Sequence, residues 1–218
     1  MDRQKIINDI NVHLPDNIRI FSLKVVARSF NVKTAVRGRH YEYVFPVSCL
    51  QSLPRFKDQS PETIIKEVDA LLQLFKGTKN FHNYTKKLKP TDSQSQRYMI
   101  ELQTELQSVE GEALIRVKLF GQSFLYHQIR KMVGAIIQLL VNGRDQDFIL
   151  NSFAANKTAI WLAPSHGLLL DMVILTSSIT LVTTPSTTCP RSSTFLKMSW
   201  HRRASSSRVS FMRRFRRI

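Results

Sequence analysis

Residues 113–142 read ALIRVKLFGQSFLYHQIRKMVGAIIQLLVN, and this stretch decides the fold class. Ile115, Val117 and Leu119 alternate with Arg116 and Lys118, the period-two signature of a strand with one buried face. The period breaks at Gly121. From Ile129 the chain is apolar around most of a helical surface, so a helix is predicted over 124–142, with Ser123 as its cap and Gly143 as its stop. A half-buried strand therefore feeds a long buried helix.

Upstream, residues 97–106 form a second alternating run, with Tyr98, Ile100 and Leu102 on one side. Glu110-Gly111-Glu112 makes a hairpin turn between the two runs. Further upstream, Ser60-Pro61-Glu62 starts a helix: a capping hydroxyl, a proline in the first turn and an early acid. Ile64, Ile65, Val68, Leu71, Leu72 and Phe75 share one face of it, and Gly77 is its expected stop. Residues 78–96 are expected to be a loop with Lys79, Lys86, Lys87 and Lys89. Two strands are expected near the start, over 21–25 and 41–47, paired as antiparallel neighbours and separated by a polar, basic stretch over 28–40. Residues 4–12 and 146–154 read as short helices, 163–167 as a turn and 168–175 as a final apolar strand. The class is α+β: an antiparallel or mixed sheet with helices packed on one face.

Charge divides the chain at the same place. Among 218 residues there are 32 Lys+Arg and 16 Asp+Glu, a formal net charge of +16. Residues 176–218 hold nine Lys+Arg, 17 Ser+Thr and no acid, which leaves residues 1–175 with 23 Lys+Arg against 16 acids. The expected organisation is one α/β subdomain over 1–175 and a disordered or poorly packed Ser/Thr/Arg-rich tail over 176–218. A chain this basic calls first for nucleic acid and second for an anionic surface. The longest nearly apolar run, residues 132–141, is too short to span a bilayer, and the start has no apolar signal core. No membrane is expected, and the compartment is left open between nucleus and organelle. Two cysteines exclude a disulfide scaffold and a Cys-rich zinc site. The six histidines show no metal-motif spacing with carboxylates, and there is no phosphate-binding glycine loop.

Three segments carry a family resemblance. They are Phe30-Asn31-Val32-Lys33 leading to Arg39-His40-Tyr41-Glu42-Tyr43, then Gly77-Thr78-Lys79-Asn80-Phe81-His82-Asn83-Tyr84, then Gly121 to Gly134 in the opening stretch. In this order and spacing they resemble the tRNA pseudouridine synthases of TruA type, closest to the eukaryotic branch, over roughly residues 5–175 and over the C-terminal part of that fold only. The resemblance implies isomerisation of uridine to pseudouridine in structured RNA, with no cofactor and no metal. It implies an essential aspartate, a tyrosine that stacks on the target uracil and an arginine that pairs with the aspartate.

Tyr41 falls at the tyrosine position and Arg130 at the arginine position. A base taken out of its stack needs an aromatic face to hold it. The structural alternative for Tyr41 is a core strand residue like Tyr43; strand pattern alone favours that, and the flanking motif reverses it. A guanidinium in an apolar helix needs a carboxylate; the alternative is a solvated face shared with Lys131. Arg39, His127 and Lys131 complete the candidate RNA contacts, with a structural role equally open for His127. Lys86, Lys87 and Lys89 suit phosphate or a solvated loop face.

The family aspartate belongs to a Gly-Arg-Thr-Asp-x-Gly-Val-His-Ala motif. None of Asp2, Asp9, Asp16, Asp58, Asp69, Asp92, Asp145, Asp147 and Asp171 sits in such a context. The expectation is that the chain begins after that motif, is altered after residue 175, exposes a sheet edge that invites self-association, and is inactive alone. The alternative function is a non-catalytic, basic RNA-binding remnant.

Overall fold

In a computed structural model, residues 2–175 are described; the expected tail over 176–218 lies outside them. The hairpin at the centre of the fold is as the sequence implied. β3 (Gln96–Val109) and β4 (Glu112–Gly121) are antiparallel, with Val109 opposite Glu112. Only Glu110 and Gly111 separate them, both at positive φ (52° and 81°), the backbone of a type I′ turn. β1 (Val36–Pro46) lies on the other side of β4, and β5 (Leu168–Leu175) lies beyond β1. β2 (Gly77–Asn80) closes the opposite edge. The sheet is antiparallel throughout, in the order β2-β3-β4-β1-β5.

Among the described residues six α-helices accompany it: α1 (Arg3–Val12), α2 (Val32–Ala35), α3 (Ser48–Gln51), α4 (Pro61–Gln73), α5 (Gln128–Asn142) and α6 (Asp147–Asn151). Ser60 caps α4 as expected, its oxygen accepting from Thr63 N at 3.3 Å. α4 and α5 supply Ile64, Val68, Leu72, Met132, Val133, Ile136 and Leu140 to a core that Tyr43, Phe45, Val117 and Leu119 close from the sheet. The α+β class with its antiparallel sheet is thus the observed one. Among the described residues no helix is long and apolar enough to cross a membrane.

Four expectations need correction. No strand forms over 21–25. β1 has β4 on one side and β5 on the other, so neither of its edges is open to a further partner. Phe21 and Val25 stay 67% and 74% exposed. The strand expected over 41–47 is longer: β1 starts at Val36, inside the basic stretch, just after α2, which Asn31 caps by accepting from Lys33 N at 3.0 Å. The expected loop over 78–96 contains β2 and two short 3₁₀ turns, and Gly77 does not stop α4, which ends at Gln73; at φ 85° it turns the chain into β2. Finally, α5 begins at Gln128, not near residue 124. Ser123 is not its cap, because His127 adopts a left-handed conformation (φ 67°) that a helix interior forbids. Gly143 does end the helix, at φ 61°.

Candidate functional site

β1 places its odd-numbered residues on the core side. Arg39, Tyr41, Tyr43 and Phe45 stand opposite Gly121, Leu119, Val117 and Ile115 of β4. The even-numbered His40 turns to the other face, where it stacks on Phe120 at 4.0 Å and 2°. The two tyrosines then differ in kind. Tyr43 is fully buried and its hydroxyl donates to Pro164 O at 2.7 Å. Burial pushes its phenol well above the ordinary range, with Arg130 opposing part of that effect, so Tyr43 holds its proton and acts as a fixed strut. Tyr41 is only half-buried. It packs against the core through Phe124, with ring centroids 5.1 Å apart and edge-on at 78°.

Residues 122–127 bring the next groups in. They leave β4, carry Phe124 and Tyr126, and are locked at their end by the buried Gln128. Its side-chain oxygen accepts from Leu125 N at 2.8 Å, and its amide nitrogen lies 3.8 Å from Met99 Sδ and 4.0 Å from Met132 Sδ. Arg130 follows in the first turn of α5. It is half-buried, and its Nε donates to Ala163 O at 2.6 Å. Among the described residues it joins no ion pair. Ala163 adjoins Pro164, whose carbonyl accepts from Tyr43, so Arg130 and Tyr43 of β1 meet at one turn. Arg130 and Tyr43 are therefore joined by the Ala163-Pro164 turn, and Tyr41 stands two residues before Tyr43 on the same face of β1.

Lys131 faces elsewhere. Its Nζ donates to Asn83 O (2.8 Å) and Thr85 O (3.4 Å), capping the carbonyls of the 3₁₀ turn His82–Tyr84. Burial and the neighbouring Lys86 and Lys157 lower its pKa. It bolts the turn to α5. His127 stacks on Tyr126. Its pKa is lowered by desolvation first and then by Arg130, Lys86 and Lys131. Arg39 is half-buried at the β1–β4–β5 junction, opposite Gly121 and Val173. Sequence reasoning passed over Phe124, Tyr126 and the Ala163 and Pro164 carbonyls. The helix expected over 124–142 hides the aromatics, because residues two apart do not share a face of a helix.

Comparison with known proteins settles the family. A tRNA pseudouridine synthase family model matches residues 71–174. The chain is 39% identical over 176 residues to a human pseudouridylate synthase 1 homolog and 37% identical over 174 residues to the Mus musculus one, in each case over 77% of this chain. The chain belongs to the tRNA pseudouridine synthases of TruA type. It is also 26% identical over 175 residues to a tRNA pseudouridine synthase A of Aquifex aeolicus. It spans only 40% and 41% of the two mammalian proteins and 70% of the bacterial one. Within the family match lie the β4–α5 loop, Arg130 and the Ala163-Pro164 turn; Tyr41 lies upstream of it.

Proposed function

We propose that this chain forms the tyrosine and arginine side of a uridine pocket that converts uridine to pseudouridine in tRNA, and that the aspartate is contributed from outside these 218 residues. One observation carries the reading. In a Tyr-x-Tyr pair on one strand face, Tyr43 is sealed and committed to Pro164, next to the Ala163 carbonyl that holds Arg130, whereas Tyr41, one pleat further along, keeps part of its surface open. Among the described residues Arg130 is anchored through Nε alone, so both terminal nitrogens of its fork remain for an anion. A carboxylate there would gain a charge-assisted, bidentate partner. Tyr41 stacks on the extruded uracil, Arg39 and His127 flank it, and Arg130 fixes the aspartate. Lys131 contributes by fixing the turn below.

Without that aspartate the chain binds structured RNA and does not isomerise it. β5, at the outer edge of the sheet, gives the isolated chain a surface for self-association. The test uses purified 218-residue chain and tRNA carrying tritium at uridine C5. Binding without tritium release is expected, and Tyr41→Ala and Arg130→Ala should each weaken binding. Release of tritium overturns the proposed inactivity; unchanged binding by both variants overturns the site. The second reading, a basic remnant that holds RNA by charge alone, is favoured if both variants bind as the wild type does with the same salt dependence.

A further inference from the structure

The β4–α5 loop carries a feature that the uridine pocket does not use. Tyr126 is 70% exposed. One face of its ring rests on His127, with centroids 3.8 Å apart and planes inclined by 25°, and the exposure leaves the other face to solvent. The backbone beneath is held from three sides. Thr85 Oγ1 donates to Tyr126 O at 3.0 Å, Leu125 N donates to Gln128 Oε1 at 2.8 Å, and Lys131 N donates to His127 O at 2.9 Å. These bonds hold His127 at φ 67°, a conformation rarely adopted outside glycine. His127 Nδ1 is buried with no hydrogen-bond partner among the described residues. A strained residue kept in place by its surroundings, supporting an exposed ring, marks a pre-organised surface.

The charges nearby have one sign. Arg130, Lys86 and Lys131 all act on His127, Lys157 acts on Lys131, and no carboxylate counts among the groups acting on either. Stiff aromatic faces beside a surplus of cations suit single-stranded nucleic acid, which offers π-faces and phosphates together. A protein partner would also cover an exposed tyrosine, but Lys86, Lys131 and Lys157, the cations left once Arg130 takes its aspartate, favour a polyanion.

We propose that Tyr126, backed by His127, is a stacking platform for a second unpaired nucleobase of the RNA, with Lys86 beside it for that nucleotide's phosphate. This rests on the RNA reading above. Tyr126 lies two residues past Phe124, whose ring meets Tyr41, and two residues reach at most about 7 Å. The second base is therefore a close neighbour of the uridine in the RNA chain, steadied while the uridine is out of the stack. Stacking reads no hydrogen-bonding edge, so the platform accepts any base.

The test is equilibrium binding of the full 218-residue chain to an unmodified tRNA transcript between roughly 0.1 and 0.5 M salt. Tyr126→Ala should weaken binding about tenfold at every salt concentration, the scale of one lost base–aromatic stack, with the slope of log K against log salt unchanged. Tyr126→Phe should restore the affinity. Lys86→Ala should make the slope shallower by about one. A fully paired RNA duplex should bind wild type and Tyr126→Ala equally. The proposal is overturned if Tyr126→Ala binds tRNA as wild type does, or loses as much affinity for the duplex. If wild type binds no RNA, the RNA reading fails and the platform with it. If Tyr126→Ala loses affinity for tRNA alone and Tyr41→Ala loses none, the platform stands and the uridine pocket fails.

Discussion

At the scale of single residues, His127 shows how position sets chemistry. Desolvation first, and then its neighbours Arg130, Lys86 and Lys131, disfavour the imidazolium, so its pKa in the fold lies below the ordinary value of 6.5. Above that value the ring is neutral in both folded and unfolded chains and stability does not change through it. Below it the unfolded chain takes up the proton first, so stability falls as pH drops from 6.5 towards the folded-state pKa. His127→Asn removes this contribution and places at φ 67° a residue that tolerates the left-handed region. The stability difference between variant and wild type, read from urea midpoints, should move in favour of the variant between pH 7.5 and pH 5. A difference that is the same at both pH values would show that His127 is protonated as easily folded as unfolded. The sequence offered Tyr41 and Arg130 through their motifs, but not this: the depressed pKa comes first from desolvation and then from Arg130, Lys86 and Lys131, and the burial and the approach of Lys86 are tertiary facts that no spacing rule encodes.

At the scale of elements, the legible parts were those whose pattern and surroundings agree. The hairpin was readable because period-two runs flank a turn whose residues accept positive φ, and α4 because Ser60 and Pro61 start it ahead of one apolar face. The run Phe21-Leu23-Val25 had a strand's pattern and no strand partner, since β1 is paired on both sides. The beginning of α5 was hidden because Phe124 and Leu125 continue an apolar trend that the locked loop interrupts. A further constraint invisible in the pattern sits inside α5. Residues 159–163 run along this helix, tied by Ala163 N to Arg130 O (3.1 Å), Trp161 N to Gln138 Oε1 (2.9 Å) and Gln138 Nε2 to Ala159 O (3.2 Å). Gly134 makes the approach possible: a Cβ there would lie 2.0 Å from Trp161 O and 2.7 Å from its carbonyl carbon. Gly134→Ala gains about 1 kcal/mol of helix propensity but forces a tied backbone segment outward, an overpacking cost of about 1–3 kcal/mol. The clash wins, because the obstructing atoms are backbone and cannot rotate away. Urea denaturation should show a net loss of stability. A gain would mean that the segment yields freely, and Arg130, bonded to Ala163, would then have no firm anchor.

At the scale of the whole molecule, two tendencies oppose each other. The sheet has two edges among the described residues. β2 is four residues long and polar, a blunt edge, whereas β5 is eight residues long and pairs only with β1 on its inner side. Leu169 and Leu170 on β5 are 53% and 46% exposed. A long apolar edge strand is a template for another strand. Against this stands a formal net charge of +16 on each chain, which repels a second copy at low ionic strength. Screening separates the two, since the Debye length falls from about 10 Å at 0.1 M to about 3 Å at 1 M salt, while apolar burial is not weakened by the same change. The isolated chain should therefore be monomeric at low salt and associate as salt rises, with its weight-average mass in sedimentation increasing with both salt and protein concentration. Leu169→Lys places a charge on the edge strand without entering the core and should suppress that rise. A wild-type mass that does not change with salt would show that β5 is not an association edge, and a rise undiminished in Leu169→Lys would place the contact elsewhere on the molecule.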